Sequence, residues 1–219
     1  MNIEQARFNM IEQQIRPWNV LDLDILELLT VVRREEFVPA AYKSLAFSDT
    51  EIPLPGGENM LAPKVEARLL QEAAVKKHEQ VLEIGAGSGY MAALLCYKAR
   101  HVTTVEIDPE LKALAAKNLA AYGITNVEVV LGGGAQGWDQ GETKSYDVIV
   151  ISGSLSTLPD TFLKQLNVGG RIVAILGDAP VMTAQIITRT ADSSYSTRNL
   201  FETDVKPLRD AAVHSNFKF

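Results

Sequence analysis

The chain has 219 residues, of which 47% are hydrophobic, and it carries a formal net charge of −6 at pH 7. This length can bury the core of one domain, whereas an acidic chain without a basic stripe is poorly suited to binding nucleic acid. A single cysteine excludes an internal disulfide framework, and no apolar run approaches the roughly 18 residues of a membrane span, so we expect a soluble, cytoplasmic protein that binds neither nucleic acid nor a membrane.

The amino-terminal part of the chain predicts two helices. Apolar residues recur at helical spacing over residues 2–15, and Pro17 ends this helix because proline lacks the N–H that would continue it. A second helix is predicted to begin at Asp22 or Asp24, either of which can cap it, and to run to Val32.

Two irregular stretches follow the second helix. Residues 33–36 are Arg-Arg-Glu-Glu, a charge run that is more typical of a solvated surface than of a site. Residues 46–63 contain several prolines and glycines and predict a long loop. Because this loop also carries apolar residues, we expect it to be ordered and to lie over the glycine-rich turn that follows. Pro63 is predicted to start the next helix.

Residues 81–90, Val-Leu-Glu-Ile-Gly-Ala-Gly-Ser-Gly-Tyr, predict a strand, a tight turn and a helix. A dinucleotide-binding turn would need glycine at Tyr90, and a Walker loop would need a lysine that is absent here. Glu83 would repel a pyrophosphate but would pair with an ammonium group. S-adenosylmethionine has an ammonium group and no phosphate, so the pattern favours this ligand. The alternative is a glycine-rich turn that binds nothing.

A second acid supports this interpretation. Glu106 ends the next predicted strand, 17 residues after Gly89. In nucleoside-binding sheets an acid at this place accepts hydrogen bonds from the ribose hydroxyls. Asp108 and Pro109 are typical of a helix start, which puts Glu106 at the carboxyl edge of the sheet, where ligands bind. The alternative is a solvated glutamate at the end of a strand.

Strand and helix patterns continue to alternate as far as residue 176, which predicts an α/β fold with a doubly wound, mostly parallel, Rossmann-like sheet. Two closing strands are expected to pair in the antiparallel sense. The further predicted elements are a helix over 109–121, strands over 127–131, 146–151 and 171–176, a short helix over 159–166, and closing strands over 185–190 and 199–205.

Several motifs together resemble the protein-L-isoaspartate O-methyltransferase family of class I S-adenosylmethionine-dependent methyltransferases. Residues 31–39 are similar to the family's V-x-R-E-x-F-V-P, and residues 82–90 to its L-E-I-G-T-G-S-G-Y. Residues 163–170, Leu-x-Gln-Leu-x-x-Gly-Gly, are similar to the family's L-x-x-Q-L-x-x-G-G with one residue fewer after the first leucine, and Pro207-Leu208 match a carboxyl-terminal Pro-Leu. The resemblance implies a protein repair enzyme that methylates an L-isoaspartyl carboxylate of a protein or peptide substrate.

The resemblance also implies the site. Glu83 would meet the ammonium group of S-adenosylmethionine and Glu106 would hold the ribose. Residues 63–219 would form the methyltransferase domain, with the helices and loop of residues 1–62 packed on it as one unit. The implied cofactor-binding residues are Glu83, Gly85, Ala86, Gly87, Ser88, Gly89, Glu106, Ile107, Gly132, Gly133 and Ser152.

Two positions depart from the family pattern. The family's loop P-I-G-x-G-Q-T-I-S-Q-P aligns with residues 53–63, so its catalytic serine falls on Leu61. The aspartate that would touch the adenine amino group falls on Gly133. Asn59 and Ser152 are weaker candidates for the missing catalytic donor, and the nearby Ser154 could also replace it.

A carboxylate acceptor is already ionised at neutral pH, so the expected reaction needs no strong general base. The sequence has no Cys/His cluster with metal-ligand spacing, and we expect no metal. Because of Leu61, two alternatives stay open: the same cofactor with a different acceptor, or a non-catalytic module that binds S-adenosylmethionine.

Overall fold

A seven-stranded sheet organises the computed structural model, which describes residues 2–138 and 144–212. Its strands are β3 Gln80–Ile84, β4 His101–Glu106, β5 Val127–Leu131, β6 Tyr146–Leu155, β7 Leu166–Asp178, β8 Val181–Ala191 and β9 Ser194–Thr203. Their spatial order is β5-β4-β3-β6-β7-β8-β9. Neighbouring strands from β5 to β7 are parallel, whereas β8 pairs with β7 and β9 pairs with β8 in the antiparallel sense. The predicted fold class is therefore confirmed.

Alternate residues of the central strands enter two cores, one on each face of the sheet. Val148 and Val150 of β6 face the larger core, whereas Ile149 and Ile151 face the smaller one. In the described part of the chain, no helix is long and apolar enough to cross a membrane. The α-helices are α1 Ile3–Met10, α2 Leu23–Val31, α3 Pro63–Ala73, α4 Tyr90–Lys98, α5 Pro109–Ala121 and α6 Asp160–Lys164.

The amino-terminal helices follow the prediction closely. The first is α-helical to Met10 and continues as a π-helical turn, Ile11–Ile15, and a short 3-10 turn that contains Pro17. The side chain of Asp22 caps α2 by accepting hydrogen bonds from the backbone N–H groups of Asp24 and Ile25. Met10 and Ile15 are buried in the larger core, together with residues of α3 and α4.

The predicted loop over residues 46–63 contains a small hairpin. Its strands are β1 Ile52–Pro53 and β2 Asn59–Met60, and a short helical turn over Pro55–Gly57 connects them. The hairpin lies over the glycine-rich turn, as expected, because a Cβ built on Gly87 would be 3.3 Å from Leu54 Cδ1.

The prediction that residues 33–36 form a solvated surface is wrong for the two central residues, Arg34 and Glu35. Arg34 is 1% exposed and Glu35 is 6% exposed. Arg34 donates hydrogen bonds to the Glu66 carboxylate and, at 2.7 Å, to the carbonyl oxygen of Leu61, while Glu35 pairs with Arg7. Both partners lie far away in the sequence, so the local charge pattern could not reveal them. The Arg34–Glu66 pair thus joins α3 to the hairpin segment.

This pair generates a stability prediction. Replacement of Arg34 by methionine leaves Glu66 buried without its cation, and we expect the free energy of unfolding to fall by about 3–5 kcal/mol. The double variant Arg34→Met/Glu66→Leu removes both charges and should recover most of the loss. Urea denaturation of the three proteins at pH 8 measures these effects.

Arg198→Met is the matched control, because Arg198 pairs with Glu72 but is 63% exposed. We expect it to lower the free energy of unfolding by less than about 1 kcal/mol. Equal effects of the two arginine substitutions would contradict a special role for the buried pair.

Candidate functional site

The carboxyl ends of β3, β4 and β6 meet at one edge of the sheet and open into a cleft. A smaller pocket adjoins it and reaches toward α3. We call these the edge cleft and the inner pocket. Asn59, Leu61, Gly85, Gly87 and Ser152 line both of them.

The structure brings most of the predicted site residues to these two spaces. Glu106, Ile107 and Gly132 line the edge cleft in addition to the shared residues. Glu83, Ala86 and Ser88 line the inner pocket. Two predicted cofactor residues, Gly89 and Gly133, line neither space.

Gly89 lies instead where α4 packs on α5. Its φ angle is +84°, and a Cβ built there would be 3.2 Å from the Cα atom and the carbonyl oxygen of Ala115. A side chain at this position would be strained and would also push the two helices apart. The glycine therefore permits the close approach of the helices at the start of α4.

Backbone hydrogen bonds hold the glycine-rich turn against β4. The N–H groups of Gly85 and Ala86 both donate to the carbonyl oxygen of Val105, at 2.9 and 3.2 Å. The N–H of Gly87 donates to Glu106 Oε2 at 2.9 Å. Gly85 has a φ angle of +93°, a conformation that glycine adopts without strain. The turn is thus shaped before any ligand arrives.

Glu106 is fixed by backbone donors from two directions. Its Oε2 atom accepts from Gly87 and its Oε1 atom accepts from the N–H of Asp108 at 3.0 Å. Its exposed fraction is 5%. A carboxylate oxygen can accept more than one hydrogen bond, so both oxygens keep acceptor capacity toward the edge cleft. A rigid acid of this kind suits a vicinal diol such as a ribose.

Glu83 is buried at the end of β3, with 0% exposure. Thr104 Oγ1 donates to one of its oxygens at 2.6 Å and Ser152 Oγ donates to the other at 3.0 Å. Burial raises the pKa of Glu83 to about 8 because it outweighs these two hydrogen bonds, and the nearby charges of Glu66 and Glu106 raise it further. At neutral pH, Glu83 without a cationic partner therefore favours the protonated form, and a cation beside it would favour the ionised form.

A carboxyl-terminal segment, residues 206–209, closes one side of the edge cleft. Leu208 packs so closely on the turn that a Cβ on Gly85 would be 3.1 Å from Leu208 Cδ2. Arg209 donates to the carbonyl oxygen of Gly56 and to the carboxylates of Glu58 and Asp108, at 2.7–2.8 Å. The segment thus joins the hairpin to the cap of α5.

Sequence reasoning missed Lys206, Arg209 and Glu58 as residues of this site. Pro207-Leu208, which match the family's Pro-Leu, lie between Lys206 and Arg209 and were the one local sequence feature that pointed to this segment. Glu58 lies within the family loop, but its ion pairs with Lys206 and Arg209 span about 150 residues of sequence. A local pattern cannot show such a contact.

The predicted hydroxyl and amide donors are already engaged. Ser152 donates to Glu83, and Ser154 Oγ donates to the carbonyl oxygen of Val205 at 3.0 Å. Asn59 Nδ2 donates to the Glu51 carboxylate at 3.0 Å. Leu61, at the position of the family serine, is 7% exposed and has no donor in its side chain. Among the described residues, no group of three or more histidine, cysteine, aspartate or glutamate side chains could hold a metal ion.

Comparison with known proteins gives a consistent result. The model of the protein-L-isoaspartate(D-aspartate) O-methyltransferase family matches residues 5–212. A protein-L-isoaspartate O-methyltransferase of Herpetosiphon aurantiacus is 39% identical over 176 residues, which cover 80% of this chain and 78% of the relative. One of Protochlamydia amoebophila is 35% identical over 202 residues, covering 91% and 94%.

The fold has a close counterpart among solved structures. A crystal structure of a protein from Plasmodium falciparum, described as a putative protein-L-isoaspartate O-methyltransferase in complex with S-adenosyl-L-homocysteine, has a TM-score of 0.80. It is 18% identical, and the match covers 95% of this chain and 99% of that one. At this identity the likeness concerns the fold.

The raised pKa of Glu83 predicts a pH-dependent affinity for S-adenosylhomocysteine. Binding of the ligand's ammonium group needs the carboxylate form, so the affinity should rise by up to about tenfold per pH unit between pH 6 and 7 and level off near pH 8. Isothermal titration calorimetry in buffers of different ionisation enthalpy would also detect the proton that Glu83 releases.

Burial also raises the pKa of the nearby Glu66, to about 7. Two comparisons assign the pH dependence of binding to Glu83 rather than to Glu66. Glu83→Gln should bind weakly and without this pH dependence. 5′-Methylthioadenosine, which lacks the ammonium group, should bind the wild type equally well from pH 6 to 8. If S-adenosylhomocysteine binds equally well over this range, the ionisation of Glu83 is not coupled to binding.

Proposed function

We propose roles for the site residues of this chain from one premise: it belongs to the protein-L-isoaspartate(D-aspartate) O-methyltransferase family. The chain is an S-adenosylmethionine-dependent methyltransferase that acts on a carboxylate of a protein substrate. Membership of an enzyme family favours catalysis over the alternative of a non-catalytic binding module. The acceptor that we propose is the side-chain carboxylate of an L-isoaspartyl residue.

One observation carries the cofactor assignment. Two acids, Glu83 and Glu106, lie at the carboxyl ends of the adjacent strands β3 and β4, and Glu106 accepts a hydrogen bond from the glycine-rich turn. Glu83 would pair with the ammonium group and Glu106 with the ribose hydroxyls. Because Gly85 and Gly87 have no Cβ, the backbone of the turn can approach the ligand closely. The residues present therefore fit S-adenosylmethionine.

S-adenosylmethionine supplies a methyl group bound to a positively charged sulfur. The acceptor carboxylate is ionised at neutral pH, so the chain's residues need to position it rather than remove a proton. The hairpin and residues 206–209 border the edge cleft and would exclude water from the reacting atoms. Positioning and exclusion of water are thus the catalytic contributions that we propose for this chain.

Three further assignments stay predictions. The first is a cytoplasmic location. The second is the division into an amino-terminal extension, residues 1–62, and a methyltransferase domain, residues 63–219. The third is cofactor binding by Gly132 and Gly133, of which the former lines the edge cleft.

A second candidate function keeps the cofactor and changes the acceptor. It is favoured by Leu61, which occupies the position of the family's serine and lines both the edge cleft and the inner pocket. A carboxylate placed against leucine loses water without gaining a hydrogen bond. Since Ser152 and Ser154 already donate elsewhere, neither hydroxyl compensates directly.

The test is methyl transfer from labelled S-adenosylmethionine to an isoaspartyl peptide. We expect the wild type to be active but slow, and Leu61→Ser to raise kcat/KM by about 10-fold or more, because a hydrogen bond to a charged group contributes roughly 1.5–3 kcal/mol. Leu61→Ala is the matched control: it removes bulk without adding a donor and should give little gain.

Two results would count against the proposal. Transfer to other protein carboxylates without transfer to the isoaspartyl peptide would establish the second candidate function. The wild type could also turn over rapidly, with Leu61→Ser equally fast or slower. That result would show that Leu61 does not limit the activity and that other groups orient the acceptor.

A further prediction concerns the missing aspartate at Gly133. A Cβ built there would lie 3.6 Å from Ile107 Cδ1 and 4.0 Å from Asp210 Oδ2, which are ordinary contacts. Gly133→Asp should therefore fit and add a hydrogen bond to the adenine amino group, tightening S-adenosylhomocysteine binding by at most about tenfold.

The carboxylate of Asp210 would repel the new one, so the gain should be larger when Asp210 is replaced by asparagine. Calorimetry on Gly133→Asp, Gly133→Ala and Gly133→Asp/Asp210→Asn measures the three effects. Gly133→Ala should leave the affinity unchanged. Weaker binding by both aspartate variants would show that the adenine amino group does not approach this position.

A further inference from the structure

We propose that Lys206 binds the acceptor carboxylate and takes over the role of the donor that is missing at Leu61. The inference rests on the proposed function, since it assumes an anionic acceptor. Lys206 and Leu61 both line the edge cleft. Lys206 also lines a shallow depression on the outer side of the cleft, together with Glu51 and Asp204. It therefore lies between the edge cleft and this depression.

The backbone of Lys206 is anchored to the end of β6. Its carbonyl oxygen accepts from Ser154 N at 3.1 Å, and Leu208 N donates to the carbonyl oxygen of Ser154 at 3.0 Å. The Ser154 hydroxyl donates to the carbonyl oxygen of Val205. This ladder keeps Lys206 close to Ser152, two residues earlier on β6. The lysine is thus held at the site even though its side chain is partly exposed.

The ammonium group retains capacity for a ligand. Lys206 Nζ lies 2.5 Å from the carbonyl oxygen of Gly57 and 3.2 Å from Glu58 Oε1. An ammonium has three donors, so two protein acceptors leave one for an incoming oxygen. Arg209, the other cation that lines the cleft, uses three of its five N–H groups to hold Gly56, Glu58 and Asp108, so its guanidinium is fixed between the hairpin and the cap of α5. Lys206 is also 42% exposed in its side chain, so substrate can reach it.

Negative charges in the lining of the edge cleft disfavour an anionic acceptor, and a cation beside them reduces this repulsion. Glu51, Glu58 and Glu106 all line the edge cleft. Burial raises the pKa of Glu51 and the charge of Asp204 raises it further, whereas the charge of Lys206 lowers it. Glu51 is thus close enough to Lys206 for the two charges to interact. Without Lys206, an approaching carboxylate would meet mainly negative charge.

This arrangement is compatible with the chemistry of transfer. The ammonium would bind one carboxylate oxygen and leave the other free to attack. The attacking oxygen forms a bond to the methyl carbon as the bond between carbon and sulfur breaks, and the electron pair of that bond stays on sulfur. No proton moves in this step, so the lysine orients the acceptor and remains charged throughout.

The experiment measures peptide binding as well as turnover. The affinity of an isoaspartyl peptide for the complex of the protein with S-adenosylhomocysteine is compared with that of the same peptide bearing the neutral isoasparaginyl amide. For Lys206→Met we expect about tenfold weaker binding of the isoaspartyl peptide and less than about twofold change for the amide peptide. Lys206→Arg should keep the preference for the charged peptide, because it keeps the cation.

Lys98→Met is the matched control. Lys98 also pairs with one acid, Asp24, but lies at the far end of α4 from the glycine-rich turn, and its removal should change neither affinity. Calorimetry with S-adenosylhomocysteine alone should give the same dissociation constant for the wild type and Lys206→Met within about twofold.

The outcomes separate this inference from the proposed function. If the isoaspartyl peptide binds in a Lys206-dependent way but is not methylated, the proposed function fails while the role of Lys206 stands. Equal losses for the charged and neutral peptides, or a parallel loss of S-adenosylhomocysteine affinity, would overturn the role and show that Lys206 merely holds the hairpin. If the wild type does not bind the isoaspartyl peptide at all, both are overturned.

Discussion

The Glu106 carboxylate accepts hydrogen bonds from the N–H groups of Gly87 and Asp108, and the geometry of the site depends on this interaction. Gly87 belongs to the glycine-rich turn, and the Asp108 side chain caps α5. A single buried acid therefore joins the turn after β3 to the helix after β4. Asp108 in turn receives Arg209, whose hydrogen bond lowers the pKa of the aspartate. Turn, helix and carboxyl-terminal segment are thus positioned by one chain of contacts.

Two buried acids near the site lower the stability of the protein as the pH rises. Burial raises the pKa of Glu83 to about 8 and that of Glu66 to about 7. Between the ordinary carboxyl pKa and these values, the folded state binds more protons than the unfolded state, so the stability of the empty protein falls as the pH rises. A bound ammonium group would offset this loss at Glu83. At Glu83, the group that lowers the stability is the one for which we propose recognition of the ammonium group.

Contacts between distant segments define the edge cleft. The hairpin is held from inside by Arg34, which donates to the carbonyl oxygen of Leu61. The carboxyl-terminal segment also holds it, because Lys206 donates to the carbonyl oxygen of Gly57. Arg209 donates to the Glu58 carboxylate and to the carbonyl oxygen of Gly56. Access to the site therefore depends on charged residues that are far apart in sequence. A departure at one position, such as Leu61, can then be offset by a residue contributed from elsewhere, which is the role inferred for Lys206.

The sequence by itself determined the strand–turn–helix around Gly85, the positions of Glu83 and Glu106 at strand ends, and the order of strands and helices. These follow from short-range rules: periodicity, capping, and the conformational freedom of glycine. Tertiary structure alone decided that Arg34 and Glu35 are buried and that Ser152 donates to Glu83. It also decided that Lys206 faces the cleft. The physical reason is that burial and pairing depend on partners from distant parts of the chain, which a local pattern does not contain.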